Sequence, residues 1–415
     1  MKTLLEIAAS FAIFACLIAG PASAAEVLVP TTTVPHDAVL EALDQVLFEY
    51  HVFDADLAAV DAAVRSDGQV SLFLANQQLD LEVHEHDLRG DGYRRVLIGE
   101  NGAEELDPGP VVTFRGQVVG DPDSEVRLTV TPELLTGSIQ TTAETLYIDP
   151  LSDFVTPAEE GGSGPAEGNI VVYRDIDVRS LDPAVCGTKG RHDLRDKLPG
   201  ARGSVLGDLG PASATKGGFL TLEVATECDG QYFADYGNPG VFNRINGILN
   251  DVEGFIYTSE LNLGINISFQ QCWSSIPNDP YTSLSASTSL TQLRNWWNAN
   301  QGSVSRDVVH KFSGKNFSGS TIGIAYVGVI CNAPTFAYGI SQDISGSSSR
   351  RRLTAHEIGH NLSANHDNQA PVCPGVSCNG NGPIMCASIQ SGGSSAADDF
   401  SSCSADDIDD HINAF

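Results

Sequence analysis

Leu353-Thr354-Ala355-His356-Glu357-Ile358-Gly359-His360-Asn361-Leu362-Ser363-Ala364-Asn365-His366-Asp367 is the stretch from which the rest of the chain can be read. His356 and His360 stand four positions apart. On an α-helix that spacing sets them ~40° apart around the axis and ~6 Å along it, so both imidazoles face one point. A catalytic Zn²⁺ asks for nitrogen ligands at about 2.0–2.1 Å, three protein groups in all, and an open fourth position. Glu357 directly follows His356, which places its carboxylate beside a metal and not on it. From there it can take a proton from water that the ion has made acidic. His366 is the natural third ligand. It lies six residues past His360, ~9 Å further along a continuing helix and out of reach, so the helix is predicted to break between them.

Upstream of this stretch, strands and helices alternate. Residues 219–226 read as a strand and 241–261 as a helix, with Ile245, Ile248, Leu249, Val252 and Ile256 on its apolar face. Residues 265–271 read as a strand, 290–298 as a helix, 307–312 as a strand, and 322–330 as a strongly apolar β-branched run. Alternation of this kind predicts a mainly parallel sheet flanked by helices. No internal repeat is visible.

The first part of the chain is different in character. Residues 25–160 look β-rich: 111–115 and 126–130 have strand composition, with a turn signal at Gly120-Asp121-Pro122-Asp123. A Gly-rich linker begins at Glu159 and runs to about 169. Residues 189–202 form a basic patch of Lys189, Arg191, Arg195, Lys197 and Arg202, read either as a site of proteolytic trimming or as a solvated loop. Lys2, an apolar stretch over 7–19 and Ala22-Ser23-Ala24 read as an export signal, giving a division into 1–24, 25–202 and 203–415. The apolar stretch is short for a membrane span, and no later segment is long and apolar enough to span a bilayer. A formal net charge of −30 argues against a nucleic-acid partner and an anionic membrane surface.

Nine cysteines are present; Cys16 would leave with the signal, and the other eight read as disulfide material in an oxidising compartment. His84 and His86 alternate in an acidic stretch and are expected to face solvent, while His310 and His411 have no partner that the sequence reveals.

At residues 356–367 the sequence resembles the adamalysin or reprolysin metzincins, zinc proteases whose pattern is His-Glu-x-x-His-x-x-Gly-x-x-His-Asp followed by a methionine turn. His356, Glu357, His360, His366 and Asp367 match, and Met385 in Gly382-Pro383-Ile384-Met385 matches the methionine turn. The family glycine is Ser363 here. Glycine permits the left-handed turn that stops the helix, and another residue there costs roughly 1–2 kcal/mol. Residues 323–328 resemble the edge strand along which substrate lies antiparallel, and residues 114–116, 122–124 and 147–150 resemble the family's propeptide.

The resemblance implies an α+β to α/β metzincin catalytic domain: a mostly parallel twisted sheet with an antiparallel edge strand, a long active-site helix, a Met-turn and a small C-terminal subdomain. A β-rich prodomain would precede it. It implies a secreted zymogen that hydrolyses peptide bonds in proteins, inhibited by its own prodomain, with no membrane span. Zinc would be held by His356, His360 and His366, with Glu357 catalytic. Cys186-Gly187 would cap the zinc in the zymogen, an alternative to Cys186 being half of a disulfide. Cys373–Cys403 and Cys378–Cys386 are the bridges implied by analogy. Glu223 and Asp307 align with residues that bind structural Ca²⁺, against which stands the reading of two solvated surface acids. No disintegrin-like or transmembrane segment is read after the catalytic region, so recognition is expected from that region itself.

Overall fold

The computed structural model describes residues 28–30, 37–74, 77–155, 168–179, 184–189, 219–380, 382–389 and 398–415. The export signal, most of the linker, and the basic patch beyond Lys189 lie outside them. Two sheets organise the chain. The first has nine strands: β1 (Leu28–Pro30), β2 (His51–Ala55), β3 (Gln69–Leu74), β4 (Gln77–Glu85), β7 (Thr113–Val118), β8 (Asp121–Thr131), β9 (Leu134–Gln140), β10 (Thr145–Pro150) and β11 (Asn169–Arg174). They run antiparallel in the order β1-β2-β11-β10-β9-β8-β7-β4-β3. Helices α1 (Asp37–Val46) and α2 (Leu57–Ser66) lie beside it. Leu57, Val60 and Val64 recur at helical spacing on α2 and pack with Leu72, Leu81, Val126 and Leu128 of the sheet.

The second sheet has eight strands. They are β5 (Arg89–Gly99), β6 (Gly102–Leu106), β12 (Val185–Cys186), β13 (Leu220–Cys228), β14 (Leu263–Trp273), β15 (Val308–Ser313), β16 (Thr321–Ala325) and β17 (Tyr338–Gln342), ordered β12-β16-β17-β15-β13-β14-β5-β6. Only the β16–β17 and β5–β6 pairs are antiparallel. One face packs on α4 (Gly240–Val252), through Phe242, Ile245 and Leu249, and on α7 (Ser347–Asn361), through Ala355 and Ile358. The other face packs on α6 (Ala286–Asn300) through Leu290, Leu293 and Trp297. Helix α3 (Gly230–Tyr236) precedes α4, and α4 runs on through a π-helical stretch (Glu253–Thr258) into α5 (Ser259–Leu261). Helix α8 (Ser402–Asn413) closes the chain, N-capped by the Ser401 side chain, which accepts from Ser404 N–H.

The expected sheet between helices is therefore present, and the strand–helix order after residue 219 follows the sequence reading. Three expectations need correction. The apolar run 322–330 is a strand only to Ala325. Beyond it the chain leaves the sheet to serve the active-site helix, with Gly328 N–H donating to His360 O and Val329 and Ile330 N–H to Asn361 O. The strand resembling an open edge is not at the edge, because β12 pairs parallel with it at Val185–Thr321 and Cys186–Gly323. The N-terminal region does not keep to its own sheet, since β5 adds to β14 in parallel, register Phe269–Arg94 to Trp273–Ile98. A lesser difference is the β7–β8 turn, which falls on Val119-Gly120 with Gly120 at φ 86°, while Pro122 is inside β8.

Candidate metal centre

Helix α7 carries the paired histidines, and none of its residues is exposed. It opens after Gly346, which has φ 82° and gives no side-chain cap. The cap comes from elsewhere: Asp149 on β10 accepts from both Ser347 N–H (2.9 Å) and Ser347 Oγ (3.0 Å). The helix stops where the sequence requires. Ala364 N–H donates back to Gly359 O and Ser363 N–H to His360 O, with Ser363 at φ 95°. These are the two closing bonds of a helix end that ordinarily uses glycine, so Ser363 takes the strained conformation itself.

The turn delivers His366 to the other two rings. Its Nε2 lies 3.2 Å from His356 Nε2 and 3.1 Å from His360 Nε2. Nitrogens at about 2.0–2.1 Å from a tetrahedral ion would stand roughly 3.3 Å apart, so this spacing fits zinc. The ring orientations are fixed from behind. His356 Nδ1 donates to Ile384 O (2.6 Å) and His360 Nδ1 to Ala364 O (2.8 Å), which leaves both Nε2 atoms free to ligate. Burial holds all three rings neutral: it pushes His356 down to about 3, His360 well below the usual value, and His366 down. Neutral imidazole is the form that binds metal.

Ile384 belongs to the segment that carries Met385, whose side chain is fully buried. A Cβ on Gly359 would come within 3.0 Å of Met385 Sδ, so the helix lies directly on this residue. Asp367 ties the region together, accepting from Ser401 Oγ (2.5 Å) and Ser404 Oγ (3.0 Å) while its N–H donates to Met385 O. Cys373–Cys403 and Cys378–Cys386 staple the same region.

Glu357 is wholly buried, and neither carboxylate oxygen has a conventional hydrogen-bond partner. Burial pushes it up to about 8, moderated by the Cys186 thiol. It reaches this place because β16 has a glycine opposite: a Cβ on Gly323 would stand 2.3 Å from Glu357 Oε1. An orphaned buried carboxyl beside three convergent imidazoles is what an absent cation and its water would explain.

Cys186 completes the cluster. Its Sγ is 3.5 Å from His360 Nε2, and the ligand atoms of Cys186, His356, His360 and His366 all lie within 4.8 Å of one another. It is not half of a disulfide; Cys228 pairs with Cys272 across β13 and β14, and Cys331 is the other free cysteine among the described residues. Burial and the Glu357 charge push its thiol up, whereas a cation among the histidines would favour thiolate. The strap 184–189 that carries it fills the groove beside β16. Gly187 N–H donates to Gly323 O, Cys186 N–H to Ala387 O, and Thr188 Oγ1 bonds both Ala325 O and Ala325 N–H.

The remaining candidates fall elsewhere. Glu223 and Asp307 are neighbours, but Asp307 Oδ2 accepts from Glu223 N–H and Glu223 Oε2 from Ser305 Oγ. Nothing further in their surroundings points to calcium. His84 is exposed as expected, but His86 is not: its Nε2 is 2.5 Å from Glu253 Oε2, inside an ion-pair group with Arg127. His310 is buried with Nε2 2.9 Å from Ser341 Oγ, and His411 Nε2 donates to Ile330 O. Sequence reasoning passed over Arg350, Arg351 and Arg352, all buried at the start of α7. Three consecutive arginines entering a helix that must be buried were the available signal.

Residues 221–401 match the family Reprolysin_5, described as metallo-peptidase family M12. A zinc metalloproteinase-disintegrin-like protein from Cerberus rynchops is 24% identical over 327 residues, which cover 76% of this chain and 49% of that protein. The chain thus spans about half the length of this curated relative. A solved chaperone–substrate complex aligns with TM-score 0.34 and 13% identity over 44% of this chain and 32% of that one, a likeness too weak to carry an argument. Residues 221–401 thus resemble reprolysin-like metzincin metallopeptidases, in keeping with the motif at 356–367.

Proposed function

We propose that this chain is a zinc-dependent endopeptidase, exported and made as a latent precursor. The observation that carries the reading is the convergence of His356, His360 and His366 Nε2 around one point with the unpartnered Glu357 carboxylate beside it. A bound zinc ion would polarise the scissile carbonyl and acidify water. Glu357 takes the proton of the attacking water and passes it to the leaving amine nitrogen. Met385 and the carbonyls of Ile384 and Ala364 keep the rings in place while this happens.

An extended polypeptide would enter by replacing the strap on β16, using the backbone groups of Gly323 and Ala325 that the strap now occupies. Cys186 would fill the fourth position of the ion in the precursor, and residues before 202 would act as the inhibitory prodomain. Export is supported by the disulfides, which persist in oxidising compartments.

Three precursors test the reading: wild type, Cys186→Ala, and Cys186→Ala with Glu357→Gln, each assayed on a denatured protein and for zinc content. The expected outcome is a silent wild type, an active Cys186→Ala protein, and a double variant that keeps zinc and loses at least about 100-fold in rate. Chelator-sensitive cleavage that survives Glu357→Gln would remove the general base from its role.

A further inference from the structure

The face between the first sheet and the active-site helix is unlike the contact of a plug with a groove. Asp153 accepts from two arginines of the peptidase part, Arg244 (2.6 and 2.7 Å) and Arg350 (2.5 Å). Arg351 reaches Tyr147 and Ser138, and Arg352 reaches Asp175 (2.5 Å), while Asp398 holds both from the other side. Asp149 caps α7, which has no cap of its own. The reprolysin pattern at 356–367 does not call for these arginines, and they have no role at the metal.

The contact is also apolar, and it continues the second sheet. Leu88 is a member of the core formed by α4 and α7, and Val96 of the core formed by α6. Strand β5 pairs along β14 with no helix or loop between them, and Ile267 N–H donates to Leu88 O while Ser274 N–H donates to Ile98 O. Taking β5 away would leave the eleven-residue strand β14, buried along most of its length, as an open sheet edge.

We propose that residues 37–179 stay bound to residues 219–415 as a lasting subunit after the chain is cut between them, holding the active-site helix by its N-terminus. Opening the site then requires only that the strap 184–189 leave the groove. The occupant of this face is the chain's own N-terminal part, because Asp153 pairs with Arg244 and Arg350, Asp175 pairs with Arg352, Asp149 caps α7, and Leu88 and Val96 join the two cores. The binding half of this proposal stands apart from the peptidase reading; only the claim about the strap rests on it.

The test places a recognition site for a specific protease within residues 190–218 of the full chain, cuts it, and runs the product by gel filtration in 0.15 M and 1 M NaCl. The expected result is one peak holding both fragments in equal amounts at either salt concentration. Asp153→Asn should keep the peak at 0.15 M and split it at 1 M, or raise the dissociation constant at least tenfold; should that variant not fold, the wild-type profile decides alone. Two peaks from the wild-type cut chain at 0.15 M NaCl would overturn the proposal. A cut Cys186→Ser chain should hydrolyse protein while still eluting as the complex. Activity found only in a separated 219–415 fragment would also overturn it, whereas a stable complex with no activity in any form would defeat the peptidase reading and leave the binding intact.

Discussion

Ser363 is where one residue decides the ligand set. Its φ of 95° lets Ala364 and Ser363 close the helix and turns the chain so that His366 arrives 3.1 Å from His360. The motif histidines were legible because helix pitch alone brings residues four apart together; the serine was legible as a departure, and the structure locates its strain at the predicted break. A fully buried position with positive φ rejects a branched side chain. Ser363→Val is expected to cost at least about 2 kcal/mol and to weaken zinc binding, while Ser363→Gly stays within about 1 kcal/mol of wild type. Denaturant unfolding with zinc titration checks the order, and a Val variant as stable as Gly would contradict it. His310 offers a second prediction at this scale. Burial pushes its pKa down to about 3, against an unfolded value of 6.5. Between those values the unfolded chain binds the proton and the folded one does not, so stability falls as pH drops from 6.5 towards 3, by about 1.4 kcal/mol per unit. His310→Asn should flatten the slope of unfolding free energy between pH 6.5 and 4.5. Equal slopes for variant and wild type would refute this.

At the scale of elements, helix α7 and strand β16 meet so closely that one position admits only glycine. A Cβ on Gly323 would stand 2.3 Å from Glu357 Oε1 and 2.8 Å from Leu353 Cδ1. Gly323→Ala is therefore expected to push the carboxylate aside and lower the rate about 100-fold with zinc still bound, a loss of the size that ångström misplacement causes. Unchanged turnover in that variant would show that Glu357 has room to spare. The strand itself was legible from its β-branched run, but its end was not. Apolar composition continues to Ile330 because Val327 to Ile330 pack on the end of α7 instead of a neighbouring strand, and composition does not distinguish the two kinds of burial. Nor could it show that Val185 and Cys186 would lie on β16, since a two-residue pairing leaves no periodicity.

For the whole molecule, the division into a β-rich first part and an α/β second part follows from composition and element order. The exchange between them does not. β5 joins β14 across about 175 residues, and Arg350 meets Asp153 across a separation of 197. Partners so distant leave no local pattern, so the arginine run could be read as charge but not as a clamp. The same distance explains His86, which looks like a surface histidine in an acidic stretch and is paired with Glu253 of another sheet's helix. What the sequence does carry through every scale is the convergence of three imidazoles on one ion.

The most direct test of that convergence is metal analysis of the purified full chain after dialysis against metal-free buffer, beside His366→Ala and Glu357→Gln. The account predicts about one zinc per chain in wild type and in Glu357→Gln, and a fall to a small fraction of that in His366→Ala. Zinc retained in full without His366, or none bound by the wild-type protein, would contradict it.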